Sequence, residues 1–130
     1  GIYAGESGGT LLTRPVVFRG KYLFVNVDCP EGELKAEVLS ERGEVIQPFS
    51  LANSRPVRAD ATCHRMTWGS DGDLAAVAGR PVRFRFHLRQ GSLYAFWVTP
   101  AASGASFGYV GGGGPGFRTG IDDVVTASKA

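Results

Sequence analysis

The stretch Val82-Arg83-Phe84-Arg85-Phe86-His87-Leu88-Arg89-Gln90-Gly91-Ser92-Leu93-Tyr94-Ala95-Phe96-Trp97-Val98 decides the fold class. Its first half alternates strictly between apolar and polar residues. That period of two is what a half-buried strand needs, because successive side chains point to opposite faces. Gln90-Gly91 is a turn signal, since glycine reaches positive φ at no steric cost. If those two residues are the whole loop, an antiparallel hairpin sets Leu88 opposite Leu93, Phe86 opposite Ala95 and Phe84 opposite Trp97. Phe84, Phe86, Leu88, Leu93, Ala95 and Trp97 then form a core face, and Arg83, Arg85, His87, Tyr94 and Phe96 form the other. A loop of odd length would turn the second strand over, bringing Trp97 outward beside Arg83 and Arg85 and sending Tyr94 and Phe96 inward. In either register an aromatic ring shares the outer face with the arginines. The even loop is the reading adopted.

Outward from this stretch, strand signals continue. Tyr22-Leu23-Phe24-Val25-Asn26-Val27 alternates and is rich in aromatic and β-branched residues. Leu34-Lys35-Ala36-Glu37-Val38-Leu39 alternates with Leu34, Ala36 and Val38 inward. Cys29-Pro30-Glu31-Gly32 between them reads as the turn of a second hairpin. Ser40-Glu41-Arg42-Gly43-Glu44 is another turn, leading to Val45-Ile46. Thr10 to Phe18 reads as an edge strand, because Pro15 cannot donate to a central ladder. Residues 48–63 read as a long irregular connection and His64 to Trp68 as a short strand. Asp73-Leu74-Ala75-Ala76-Val77-Ala78-Gly79 is the one helix candidate, capped by Asp73 and ended by Gly79 after a turn or two. Seven or eight short strands with one short helical turn predict an all-β chain, an antiparallel β-sandwich of jelly-roll-like form. The sandwich module is expected over 1–102. Eight glycines between Gly104 and Gly120 mark 103–130 as a Gly-rich C-terminal segment, loop or partly disordered.

The chain has 130 residues, of which 43% are hydrophobic, enough for one domain with a real core. Fourteen basic residues face twelve acidic ones, and a net charge of +2 gives no argument for nucleic acid. Arginine outnumbers lysine eleven to three; arginine binds planar polar ligands well, and base composition of the source genome gives the same ratio. No apolar run approaches the roughly 20 residues that span a bilayer, so no membrane partner is expected. The chain opens at Gly1-Ile2-Tyr3 and reads as a mature or excised piece, so its lack of a signal peptide does not bear on where the parent goes. Cys29 and Cys63 are too few to read as a framework. A bridge and two separate thiols both stay open.

Catalytic constellations are absent from the pattern. His64 and His87 stand 23 residues apart with no Cys-x-x-Cys or His-x-Glu beside them, so zinc has no support. Ser70-Asp71-Gly72-Asp73 spaces two carboxylates as a structural calcium loop would, and Asp71 and Asp73 are its candidate ligands. A turn followed by a helix cap explains the same residues. The run Gly111 to Gly116 is not a phosphate loop, since no Lys-Ser/Thr follows and Pro115 removes a donor. Nothing resembles a nucleophile elbow. No catalytic residue is assigned and no cofactor beyond that calcium. The outer face of the 82–98 hairpin remains. Aromatic rings stack on the apolar faces of pyranosides while Arg and His bond the hydroxyls, so Arg83, Arg85, His87, Tyr94, Phe96 and Trp97 are the candidate carbohydrate-binding residues. Arginine stems covering a solvated sheet face would give the same pattern.

Several segments resemble a module of bacterial glycosidase-like proteins. They are Gly9-Thr10-Leu11-Leu12-Thr13-Arg14-Pro15, Leu23-Phe24-Val25-Asn26-Val27-Asp28, Gly79-Arg80-Pro81-Val82-Arg83-Phe84-Arg85-Phe86 and Leu93-Tyr94-Ala95-Phe96-Trp97. The tail resembles it too, with Gly108-Tyr109-Val110 and Gly113-Gly114-Pro115-Gly116-Phe117. In those proteins the module follows a five-bladed propeller of the family 32 and family 43 glycoside hydrolase type. The resemblance spans roughly residues 5 to 120 and rests on framework motifs. It implies a non-catalytic accessory β-sandwich, carbohydrate-binding-module-like, from a secreted parent enzyme, hence extracellular or periplasmic. Its implied partners are a poly- or oligosaccharide and the catalytic domain of the parent chain. The alternative it implies is a structural module that braces the propeller without binding glycan.

Overall fold

The computed structural model describes residues 2–69, 73–100, 111–113 and 121–123. Nine strands form in chain order: β1 (Ile2–Ala4), β2 (Gly9–Thr13), β3 (Tyr22–Asp28), β4 (Glu33–Ser40), β5 (Asp60–Arg65), β6 (Val82–Arg89), β7 (Gly91–Thr99), β8 (Gly111–Gly113) and β9 (Ile121–Asp123). Among the described residues, one 3-10 turn, Ala75–Val77, lies between β5 and β6. The Asp73 carboxylate accepts the Ala75 N–H at 2.8 Å, and Gly79 closes the segment with φ +85°. The N-cap of this turn is Leu74, one residue later than the expected Asp73, which instead bonds the first N–H from the position before it.

Two antiparallel sheets build a β-sandwich. The front sheet runs β1-β7-β3-β5, with β8 also against β7; the back sheet runs β4-β6-β2-β9. From β1 through β7 the chain changes sheet at every strand. Strands pair as nested couples: β1 with β7, β2 with β6, β3 with β5. The innermost turn belongs to β4, where Leu39 bridges Val45 and Leu34 bridges Val57 along its outer edge. This nesting, with alternation between sheets, is jelly-roll-like topology.

Both expected hairpins are corrected. The β6–β7 pair does not form a ladder. β6 pairs β4 and β2 in the back sheet, and β7 pairs β3 and β1 in the front sheet. Gln90, at φ 51°, is the corner between them. Likewise β3 and β4 lie in different sheets, joined by the turn closed by the Gly32 N–H donating to the Cys29 carbonyl. The two corners pack backbone against backbone. A Cβ on Gly32 would sit 1.7 Å from the Arg89 carbonyl oxygen, and one on Gly91 would sit 2.5 Å from the Asp28 oxygen. Alternation fixes which face is apolar, but not whether the next strand lies beside that face or across from it. Here it lies across, so Phe86 of β6 meets Phe96 of β7 through the core, ring centroids 5.1 Å apart.

Other expectations change in detail. β2 is not an edge: it ends at Thr13, before Pro15, and β9 lies outside it at Leu12 and Thr13. The strand expected at 64–68 begins earlier, at Asp60, and ends at Arg65. Cys29 is buried, Cys63 is exposed, and no disulfide joins them. From the Gly-rich segment, β8 and β9 add to the two sheets; the remainder of 103–130 lies outside the described residues.

The core sits between the sheets. Leu23, Val25 and Val27 of β3, Leu34, Ala36 and Val38 of β4, Phe84, Phe86 and Leu88 of β6, and Leu93, Phe96 and Val98 of β7 are all buried. Phe18 and Phe84 stack at 5.8 Å, and Phe84 and Phe96 meet edge-on at 6.1 Å. Trp68 donates its indole N–H to the Ala36 carbonyl at 2.8 Å, so its one polar atom is paired inside the core.

Candidate functional site

The six sequence-predicted residues are not brought together. Arg83, Arg85 and His87 stand on the outer face of the back sheet, where they alternate with buried Val82, Phe84, Phe86 and Leu88. Tyr94 and Trp97 belong to the front sheet, a full sandwich thickness away. Phe96 is core, 1% exposed. The cause is a β-bulge. Asn26 pairs with Ala95 but Val27 pairs with Leu93, so Tyr94 is an extra residue in β7. The bulge shifts the phase of the strand, so that Leu93 and Phe96 both face inward. Neither hairpin register expected from the sequence contains such a shift. Of the expected core face, Phe84, Phe86, Leu88 and Leu93 are buried, while Ala95 and Trp97 are only half-buried.

The outer face of the front sheet does combine aromatic rings with polar groups, using other residues. Phe24 is flanked by Trp97 on β7 and Arg65 on β5 in one cross-strand row. The Phe24 and Trp97 rings stack with centroids 6.0 Å apart and planes 16° from parallel. The Arg65 guanidinium carbon lies 5.1 Å above the Tyr22 ring, a cation–π contact. Asn26 is half-buried one row further along β3, opposite Ala95, and Asp28 follows it opposite Ser92 and Asp60. Phe24 is 4% exposed, because its neighbours cover it. The available ring surface therefore belongs to Tyr22 and Trp97, with Tyr94 (44% exposed) beyond the bulge. Tyr22, Phe24, Asn26 and Arg65 were not singled out in the sequence. The alternation of 22–27 carried the signal, since it sets Tyr22, Phe24 and Asn26 opposite the core residues Leu23, Val25 and Val27.

The outer face of the back sheet is built on charge. Glu37 is buried there, and its Oε2 accepts from Arg85 Nε at 3.0 Å and from His87 Nε2 at 2.7 Å. Burial alone would push the Glu37 carboxyl up; the hydrogen bonds from His87 and Arg85 outweigh it and hold the carboxyl below its ordinary value. Arg83 donates to the Glu41 and Thr13 carbonyls. Arg58 takes Glu33 at 2.9 Å, and Lys35 lies 3.9 Å from the same carboxylate.

Elsewhere, Cys29 donates its thiol to the Val57 carbonyl at 3.2 Å, and burial chiefly pushes its thiol pKa up. Among the described residues no three His, Cys, Asp or Glu side chains gather as a metal site; Asp71, one of the two calcium candidates, lies outside them. A small, partly open apolar cleft between β1 and the back sheet is lined by residues such as Ile2, Leu11, Phe86 and Leu93, and holds no carboxylate or histidine. No helix among the described residues is long and apolar enough to cross a membrane. Comparison of the chain with protein-family models, with curated proteins and with solved structures finds no match.

Proposed function

We propose that this chain is a non-catalytic carbohydrate-binding module of a secreted carbohydrate-active enzyme, and that it meets a poly- or oligosaccharide on the outer face of the front sheet. The observation that carries the reading is the outward group Tyr22, Trp97, Arg65 and Asn26 packed around Phe24. A pyranose ring offers an apolar face to an aromatic plane and hydroxyls to the polar groups around it. Phe24 and Trp97 brace one another, so the Trp97 plane is held before a ligand arrives, which lowers the ordering cost of binding. The resemblance of its framework motifs to accessory modules of propeller glycosidases supports the same context, extracellular or periplasmic, with catalysis left to the parent's propeller.

Affinity electrophoresis and calorimetry against a panel of plant and algal polysaccharides test the proposal. The expected result is retardation on at least one glycan, lost in Trp97→Ala and weakened in Tyr22→Ala. A folded protein that no glycan retards rejects it. If co-expression with the parent's catalytic domain then raises the melting temperature of both partners, the brace reading takes its place.

A further inference from the structure

The back sheet carries a second surface of different chemistry. Arg83, Arg85, His87 and Arg89 occupy alternate positions of β6 and so share its outer face. At about 3.4 Å per residue, Arg83 and Arg89 lie roughly 20 Å apart along one straight strand. Lys35 sits opposite His87 on β4, and Arg58 reaches the edge of the same face through Glu33. Among the described residues, Lys35 and Arg58 meet the Glu33 carboxylate on this face, and Arg85 and His87 meet that of Glu37.

Nor are these cations all spent on one another's partners. Glu37 engages Arg85 through Nε alone among the guanidinium nitrogens, which leaves the terminal nitrogens of Arg85 available. Arg83 donates to the Glu41 and Thr13 carbonyls, which orient its guanidinium along the face. Arg89 is paired through its backbone with Glu33, yet that carboxylate turns to Arg58 and Lys35. The half-buried Arg89 side chain makes no hydrogen bond or ion pair with any described residue.

We propose that the outer face of the back sheet binds an anionic polysaccharide, with Arg89, Arg85 and Lys35 meeting its carboxylate or sulfate oxygens. A row of cations along a straight strand suits a ligand that repeats its charge along its length, and guanidinium matches planar oxyanions well. No aromatic residue points outward from β2, β4 or β6 to stack a base, and two carboxylates interrupt the row, so a polysaccharide fits this face better than a nucleic acid does. The inference rests on the module being glycan-binding but uses the face opposite the Trp97 group, which makes it separable.

The test is affinity electrophoresis of the whole chain in gels containing polygalacturonate, a sulfated galactan or a neutral xylan, with single-stranded and duplex DNA as competitors. Retardation by polygalacturonate or the sulfated galactan is expected, and the stronger of the two identifies carboxylate or sulfate as the group read. The retardation should fall as sodium chloride is raised. Arg89→Ala should weaken it by about fivefold and Arg89→Lys by less, each with an unchanged melting temperature. If Trp97→Ala abolishes retardation on anionic glycans, binding belongs to the front face and the proposal falls. It falls equally if Arg89→Ala binds like the parent, or if DNA displaces the glycan at equal charge. Binding of anionic glycans that depends on Arg89, with no neutral glycan bound, sustains this proposal while removing the front-face reading.

Discussion

The Glu37 carboxylate and the His87 ring lie 2.7 Å apart across β4 and β6, and Arg85 reaches the same oxygen from 3.0 Å. A carboxylate this buried on the solvent side of a sheet is held ionised by two donors from one neighbouring strand. Its pKa in the folded protein lies below the ordinary 4.5. The folded state therefore keeps the charge at pH values where the unfolded chain takes up a proton. The stability Glu37 confers is present above pH 4.5 and is lost as pH falls through the lowered value. Urea unfolding of Glu37→Gln should show a loss of about 1–3 kcal/mol at pH 7, shrinking toward zero in acid. An equal loss at both pH values would show that the ionised pair is not the cause.

Phe96 and Tyr94 are two residues apart in β7 and differ completely in cost. Phe96 packs against Phe84 and Phe86 in the core, so Phe96→Ala should cost about 3–5 kcal/mol. Tyr94 is the bulge residue and faces solvent, so Tyr94→Ala should cost less than about 1 kcal/mol. Thermal or urea denaturation of the pair checks the bulge directly, because a regular strand would not leave Leu93 and Phe96 facing the same way.

The corners where the chain changes sheet offer a second contrast. Gly32→Ala forces a methyl into the Arg89 carbonyl and should destabilise by about 3 kcal/mol or more. Gly43→Ala meets nothing within 4 Å and is strained only by its φ of +91°, a cost of about 1–2 kcal/mol. Similar losses at both sites would contradict the backbone contact between corners.

Thiol labelling separates the two cysteines. Cys63 is exposed on β5 and should react quickly in the native protein, while Cys29 should react only when the chain unfolds, its thiolate disfavoured by burial. One fast equivalent in buffer and two in denaturant, without reductant, are expected. No reaction in denaturant would mean that a bridge exists.

Much of the fold could be read from the sequence, because side-chain period is a local property. The alternation of 22–27, 34–39 and 82–88 marks β3, β4 and β6, with Leu34, Ala36 and Val38 inward as expected, and Asp73 bonds the first N–H of the short turn. Partner choice could not be read there. A Pro-Gly turn such as Cys29 to Gly32 serves a hairpin or a corner between sheets equally well. Only the close approach of the Gly32 and Gly91 backbones to the opposite corner distinguishes them. The site failed for the same reason, compounded by the extra residue at Tyr94. The type of surface expected, rings beside an arginine, does exist, but it is assembled from β3, β5 and β7, whose residues lie up to 75 positions apart, Tyr22 to Trp97.

The nested pairing of β1 with β7, β2 with β6 and β3 with β5 also orders events in time. While the chain emerges from a ribosome, β1, β2 and β4 stay without their strand partners until residues beyond 81 are made. The turn at Ser40 to Glu44, the Leu34–Val57 bridge and the β3–β5 ladder can close before then. Each outer couple next closes over a loop that the inner couple has already shortened, so assembly zips from the middle of the sequence toward its ends. Folding dominated by such distant pairings falls in the slow, millisecond-to-second range typical of sandwiches. β1, at the edge of the front sheet, pairs β7 alone and so can dock only after β7 has been made.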